Sequence, residues 1–139
     1  MDKQFNLERF VEAQAPVYRK VVAELQAGRK TSHWMWFIFP QIAGLGRSEM
    51  ARKFAIASAD EAAAYLAHPL LGARLRECSA LVAAIDDKQI GDIFDPPDDR
   101  KFHSSMTLFA EVAPDEAVFT ECINKYFDGV LDPATVERL

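Results

Sequence analysis

The stretch Ser32-His33-Trp34-Met35-Trp36-Phe37-Ile38-Phe39-Pro40-Gln41 holds both tryptophans of the chain. Its reading decides the fold, because a strand here would need a partner strand and a helix would make the chain all-α. The side chains from Trp34 to Phe39 are too large for all of them to face solvent, so most belong to a core, where burying each one contributes about 1.5–3 kcal/mol. No neighbouring segment alternates polar and apolar residues for long enough to pair with it, and Pro40 ends it, so a short buried helix after Ser32 is expected. A buried indole N–H needs an acceptor, and two tryptophans two residues apart point to different sides of a helix. One of the pair is therefore expected in packing and the other at the edge of a pocket.

Outward from this stretch the apolar spacing is helical almost everywhere. Leu7, Phe10 and Val11 mark a helix over Phe5 to Ala13, and Pro16 opens a second through Val17, Val21, Val22 and Leu25 that stops at Gly28. Ser48 precedes a helical segment from Glu49 to Phe54. Ser58 and Glu61 form a capping box for a helix that ends before His68 and Pro69. From Pro69, residues Leu71, Leu75, Cys78, Leu81, Val82 and Ile85 recur at three- and four-residue steps, the clearest amphipathic helix of the chain, and it gives way to the polar Asp86-Asp87-Lys88. After a turn at Asp95-Pro96-Pro97, Phe102, Met106 and Phe109 mark another helix stopped by Pro114. Val118 to Tyr126 form the next, closed by Asp128-Gly129, and Asp132 to Leu139 a short final turn. The expected fold is all-α, a single compact domain of about seven or eight short helices spanning residues 1–139.

Size and composition agree with that reading. The 139 residues, 50% hydrophobic and 27% charged, fit one globular domain. A domain of this length has a radius of gyration of about 14 Å and buries about two-thirds of its unfolded surface. The apolar run Trp34 to Phe39 is far shorter than the ~20 residues that cross a bilayer, and MDKQFNLERF lacks the apolar stretch of a secretion signal, so no membrane association is expected. Cys78 and Cys122 lie apart in apolar helical patterns with no zinc-binding spacing, as free core thiols do in a reducing cytoplasm. His33, His68 and His103 have no short helical spacing either, and neither a metal nor another cofactor is expected.

A net charge of −5 argues against a nucleic-acid partner. The charge is unevenly spread, however: Met1 to Lys53 carries nine Lys and Arg against five Asp and Glu, and Ala55 onward seven against sixteen. Arg29, Lys30, Arg47, Arg52 and Lys53 flank the tryptophan stretch, either as a solvated face or as part of an anion site.

Two segments carry chemistry compatible with such a site. In Gly44-Leu45-Gly46-Arg47-Ser48 the glycines permit positive φ and close backbone approach, and Ser48 is placed to cap a helix whose free N–H groups favour an anion. The segment matches neither the P-loop nor GxGxxG, and a structural turn is the other reading. In Asp98-Asp99-Arg100-Lys101-Phe102-His103-Ser104-Ser105, helical spacing places Asp98, Lys101, Ser104 and Ser105 on one face. A lysine beside hydroxyls is a means of activating a nucleophile, whereas Asp98 with Lys101 also suits an ordinary surface pair. The catalytic candidates are thus Lys101, Ser104 and Ser105, and the ligand-binding candidates Trp34, Trp36, Gln41, Gly44, Gly46, Arg47 and Ser48.

SHWMWFIFPQ, GLGRS with the following AIAS, AAAYLAHPLLGARLREC and DRKFHSSMTLF together resemble the bacterial family known as domain of unknown function 1810, sometimes labelled calpastatin. The resemblance runs over nearly the whole chain and implies a small helical cytosolic domain with no settled activity. A looser likeness, to the NADAR family of helical proteins linked to ADP-ribose chemistry, rests on Ser48-Glu49 followed by Leu71-Gly72-Ala73-Arg74, where Ala73 interrupts the family's element. It implies an ADP-ribosyl or nucleotide ligand as the first class to test. Two functions remain open. One is a small enzyme or binding protein for a phosphate-bearing nucleotide or ADP-ribose-type ligand, and the other a non-catalytic protein–protein interaction domain. The oligomeric state is not legible.

Overall fold

A computed structural model describes residues 5–139, and among them ten helices and no strand. The helices are α1 Glu8–Gln14, α2 Tyr18–Gln26, α3 Met35–Ile38, α4 Glu49–Lys53, α5 Ala59–Ala67, α6 Pro69–Ala83, α7 Ile90–Ile93, α8 Asp98–Val112, α9 Ala117–Phe127 and α10 Pro133–Val136. The tryptophan stretch is the short buried helix α3, with Phe39 and Pro40 buried behind it.

Local chemistry sets most helix ends. The Ser48 hydroxyl accepts from Ala51 N at 3.1 Å, and the Ser58 hydroxyl from Glu61 N at 3.3 Å. The Ser58–Glu61 pair is only half of the expected capping box, because the Glu61 carboxylate accepts instead from Ala57 N and binds Arg9 at 3.0 Å. His68 ends α5 and caps α6, its ring Nδ1 accepting from the amides of Leu70 and Leu71, with Pro69 as the first residue of the new helix. Asp128 closes α9 with φ 55°. Three boundaries differ from the expectation. Asn6, at φ 51°, delays α1 to Glu8, and α2 starts at Tyr18, beyond Pro16. The third is α7, a single turn too short to show a period, whose Gln89 and Asp92 cap each other reciprocally.

The two longest helices, α6 and α8, organise the fold. Both α5 and α9 pack on each of them, α10 and α7 add to α8, and α1, α2 and α3 add to α6. Helix α8 is enclosed on most sides, since Phe102 and every residue from Ser104 to Ala110 are buried. A run of rings links Phe39 to Phe102, with centroids 4.9 Å apart and planes perpendicular, and Phe102 to Phe94 at 5.0 Å. A second run passes from Phe10 through Tyr65 and Phe109 to Phe119. The buried Gln14 amide ties these layers, donating to the Phe37 carbonyl at 2.7 Å and to the Tyr65 hydroxyl at 3.0 Å. Its partners satisfy a polar group that would otherwise be costly to bury.

Candidate functional site

The two tryptophans part company as soon as the chain enters α3. Trp34 is 1% exposed and its indole N–H donates to Glu24 Oε1 at 2.9 Å. That carboxylate also accepts from the amides of Thr31 and Ser32 and from the Ser32 hydroxyl. Burial alone would raise the Glu24 pKa; the donated hydrogen bonds, led by the Ser32 hydroxyl, outweigh it and hold the carboxyl at about 2. Trp34 is thus a structural residue. Trp36 is half-buried, and its Nε1, itself buried, has no acceptor among the described residues.

Beside Trp36 the chain turns through Gln41 to Ser48 and forms one wall of two adjoining depressions. The smaller, of about 140 Å³, is lined by Trp36, Gln41, Gly44, Gly46 and Arg52 among others. The larger, of about 660 Å³, lies between Gln41, Leu45 and Gly46 on one side and Arg100, Lys101, His103 and Ser104 of α8 on the other, with Asp132 and Pro133 completing it. Gln41 and Gly46 belong to both and form a sill between them. The sill requires its glycines. A Cβ on Gly46 would lie 2.5 Å from the Ala51 Cβ, and Gly44 has φ +98° with Arg138 packed where its side chain would go.

Three segments separated in sequence therefore meet here. Lys101 joins them: its ammonium lies 5.2 Å from the centroid of the Trp36 ring and 3.8 Å from Asp98, whose other oxygen binds Lys30 at 2.8 Å. Arg100 and Arg52 form no ion pair among the described residues, which leaves both guanidinium groups free for an anion.

The other candidates lie elsewhere or serve the scaffold. Arg47 and Ser48 are exposed outside both depressions, and the Ser48 hydroxyl is occupied by its cap on a helix of five residues. The expected common face of Lys101, Ser104 and Ser105 is not formed. Ser105 is 0% exposed, its hydroxyl without a partner among the described residues, because α8 is packed on more sides than one apolar stripe suggests. Ser104 borders the larger cleft, but its hydroxyl donates to Asp132 Oδ2 at 2.8 Å. Thr135 donates to the same oxygen, and the Asp132 amide donates to Thr107, so Ser104 anchors the C-terminal segment that walls the cleft. Part of the basic surplus of the first half is taken up in ion pairs: Arg9 with Glu61, Arg29 with Asp95 and Lys30 with Asp98. Sequence reasoning missed Arg100 and Asp132 as cleft residues. Arg100 lies within the segment Asp98 to Ser105 but off the face assigned to Lys101, whereas nothing local in the sequence brings Asp132 to Ser104.

Leu71 and Gly72 are buried in α6, and Arg74 bonds Gln14 and stacks on Tyr18, so this element serves packing. Among the described residues no group of three His, Cys, Asp or Glu side chains is placed to hold a metal ion, and no helix is long and apolar enough to cross a membrane. Cys78 and Cys122 are free and buried, and burial pushes both thiols up to about 12.

Fold and cleft together define a small helical domain with an aromatic-edged, cation-rimmed cleft. The family profile described as "Protein of unknown function (DUF1810)" matches residues 4–139, and the chain belongs to that family. It is similar to the crystal structure of the conserved hypothetical protein Rv1873 from Mycobacterium tuberculosis, with 54% identity, a TM-score of 0.97 and coverage of 98% of this chain and 97% of that one. No curated protein is significantly similar to it.

Proposed function

We propose that the larger cleft binds an anionic small molecule, a phosphate-bearing nucleotide or ADP-ribose-type ligand. The observation that carries this reading is the meeting of Gln41, Leu45 and Gly46 with Lys101 and Arg100 around the larger cleft, beside a second depression lined by Trp36, whose ring lies under the Lys101 ammonium. An aromatic ring beside Lys101 and the unpaired Arg100 suits a ligand with both a planar and an anionic part. Lys101 is the ligand contact, Ser104 a positioning residue acting through Asp132, and Ser105 a core residue outside the site. The two free thiols suit a cytoplasmic setting.

A thermal-shift panel of nucleotides, NAD, ADP-ribose, phosphate and sulfate tests this directly. A ligand at a hundredfold excess over its Kd stabilises the native state by about 2.7 kcal/mol, a readily measured rise in Tm. Lys101→Met should abolish that rise while leaving the unliganded Tm within about two degrees, since substitutions away from the core usually change stability by under ~0.5 kcal/mol. A panel in which nothing moves the Tm removes the anion reading and favours the interaction-domain alternative, for which Val130, Val136 and Leu139 offer exposed apolar surface.

A further inference from the structure

The larger cleft holds acceptors as well as cations. Asp132 lines it just before α10, and its carboxylate is held from the protein side: the Ser104 hydroxyl donates to Oδ2 at 2.8 Å and the Thr135 hydroxyl to the same oxygen at 2.6 Å. Both hydroxyls belong to buried residues, and the Asp132 amide donates to the buried Thr107 at 3.0 Å. The other oxygen, Oδ1, takes no hydrogen bond among the described residues, and it is not one of their buried unpartnered atoms, which are Trp36 Nε1, Ser79 Oγ and Ser105 Oγ. Oδ1 is therefore the oxygen of this half-buried side chain that solvent reaches. His103, which also lines the cleft, repeats the pattern. Its Nε2 lies 2.7 Å from the Val130 carbonyl, which can only accept, so Nε2 carries the hydrogen, and the ring stacks on Phe127 with centroids 3.9 Å apart. In the neutral ring Nδ1 is then an acceptor, likewise unpartnered among the described residues and open to solvent.

The geometry points to Asp132 as the residue that reads a ligand hydroxyl, its Oδ1 accepting from a sugar O–H of the molecule whose anionic group Lys101 and Arg100 hold. This rests on the cleft reading above and narrows it to hydroxyl-bearing ligands, ribose phosphates in place of bare planar anions. A carboxylate accepts only, so its partner must donate. A ligand ammonium would meet Lys101 and Arg100 in the same cleft, and like charges repel, which leaves a neutral hydroxyl as the donor. No cation pairs with Asp132 among the described residues, so the carboxylate is not already neutralised by the chain. Because Ser104 and Thr135 fix its orientation beforehand, little side-chain freedom is lost when a ligand binds. Anchoring the C-terminal segment uses Oδ2, and Oδ1 is the oxygen that this anchor does not need.

Calorimetric titration of the wild type and of Asp132→Asn with AMP, 2′,3′-dideoxy-AMP and D-ribose tests this. AMP should bind the wild type roughly ten- to hundredfold more tightly than its dideoxy analogue, the range for a hydrogen bond to a charged group. In Asp132→Asn the Ser104 and Thr135 hydroxyls still need an acceptor, so the amide carbonyl takes the place of Oδ2 and the amide nitrogen that of Oδ1. The anchor is kept. This variant should bind AMP more weakly, and the dideoxy analogue as tightly as the wild type or more so, because a negative charge has left the cleft. Equal wild-type affinities, or a change by the same factor for both nucleotides in Asp132→Asn, overturn the hydroxyl reading and leave the cleft. Should the variant not fold, the wild-type comparison decides alone. D-ribose that binds where neither nucleotide does removes the anionic reading and keeps the hydroxyl one, and if none of the three binds the wild type, both are overturned.

Discussion

Trp34, the N-cap of α3, and Trp36, inside it, are two residues apart, and their surroundings are opposite. Trp34 sits against Phe39 and Phe94 with its N–H held by a carboxylate that accepts from three further donors. Trp36 is half-buried beside two depressions, with an unmet N–H and a lysine ammonium over its ring. Both regions use a lysine over an indole, Lys30 at 5.2 Å from Trp34 and Lys101 at 5.2 Å from Trp36, and both lysines reach Asp98. What separates them is completeness. The Trp34 N–H has its acceptor in a fully satisfied hub, and the Trp36 N–H has none among the described residues.

The sharpest way to break this contrast is to truncate each indole. Trp34→Ala removes a fully buried ring and should cost about 3–5 kcal/mol, whereas the half-buried Trp36→Ala should cost about 1–1.5 kcal/mol, read from denaturant midpoints at unchanged m. Equal losses would make Trp36 as structural as Trp34. Next in size is Glu24→Gln, which weakens the hub under Trp34 by about 1.5–3 kcal/mol at neutral pH, the range for hydrogen bonds to a charged group. The folded-state pKa of Glu24 is depressed, so its contribution is fully present above about 4.5 and fades as pH falls toward about 2. Acid titration of stability should therefore show the wild-type advantage over Glu24→Gln shrinking across that window. A gap that stays constant would mean that the carboxylate charge is not what holds Trp34.

The smallest effects separate the adjacent serines. Ser104→Ala loses the bond to Asp132 and should cost about 1 kcal/mol, while Ser105→Ala, whose hydroxyl has no partner to lose, should lie within about 0.5 kcal/mol of wild type or stabilise it. A reversed order would mean that Ser105 finds a partner unseen among the described residues.

Much of the fold was legible because the residues that build it signal locally. The spacing along α6, the serine caps at Ser48 and Ser58 and the stop at Asp128-Gly129 are all short-range features. The bulk of Trp34 to Phe39 likewise forces a core whatever surrounds it. The cleft was half legible. Trp36, Gln41, Gly46 and Lys101 were named from types and spacing, yet Ser105 was misplaced because a helix packed on several sides hides its polar residues from a single-stripe reading. Arg47 and Ser48 attracted notice as a phosphate-like motif, although α4 is a single short turn of helix and its cap is already occupied. Asp132 depends on a contact across 28 residues, for which one sequence offers no signal.

The described residues form no sheet, yet they contain a strand-like clasp. Ile42 and Ile56 form an isolated parallel bridge, with Ala43 N donating to Ile56 O and Ile56 N to Gln41 O, each at 2.8 Å. Both isoleucines are buried, so the two ends of the loop that carries the sill and α4 are pinned to the core while the residues between them lie mostly at the surface. A loop closed this way behaves as a cassette. Doubling its length would add only about 0.6 kcal/mol of closure entropy. Insertions at its exposed positions, away from Gly44, Gly46 and the buried Phe54, are therefore tolerated cheaply, and among relatives that keep the clasp this segment is where new ligand preferences would arise without redesign of the helices beneath.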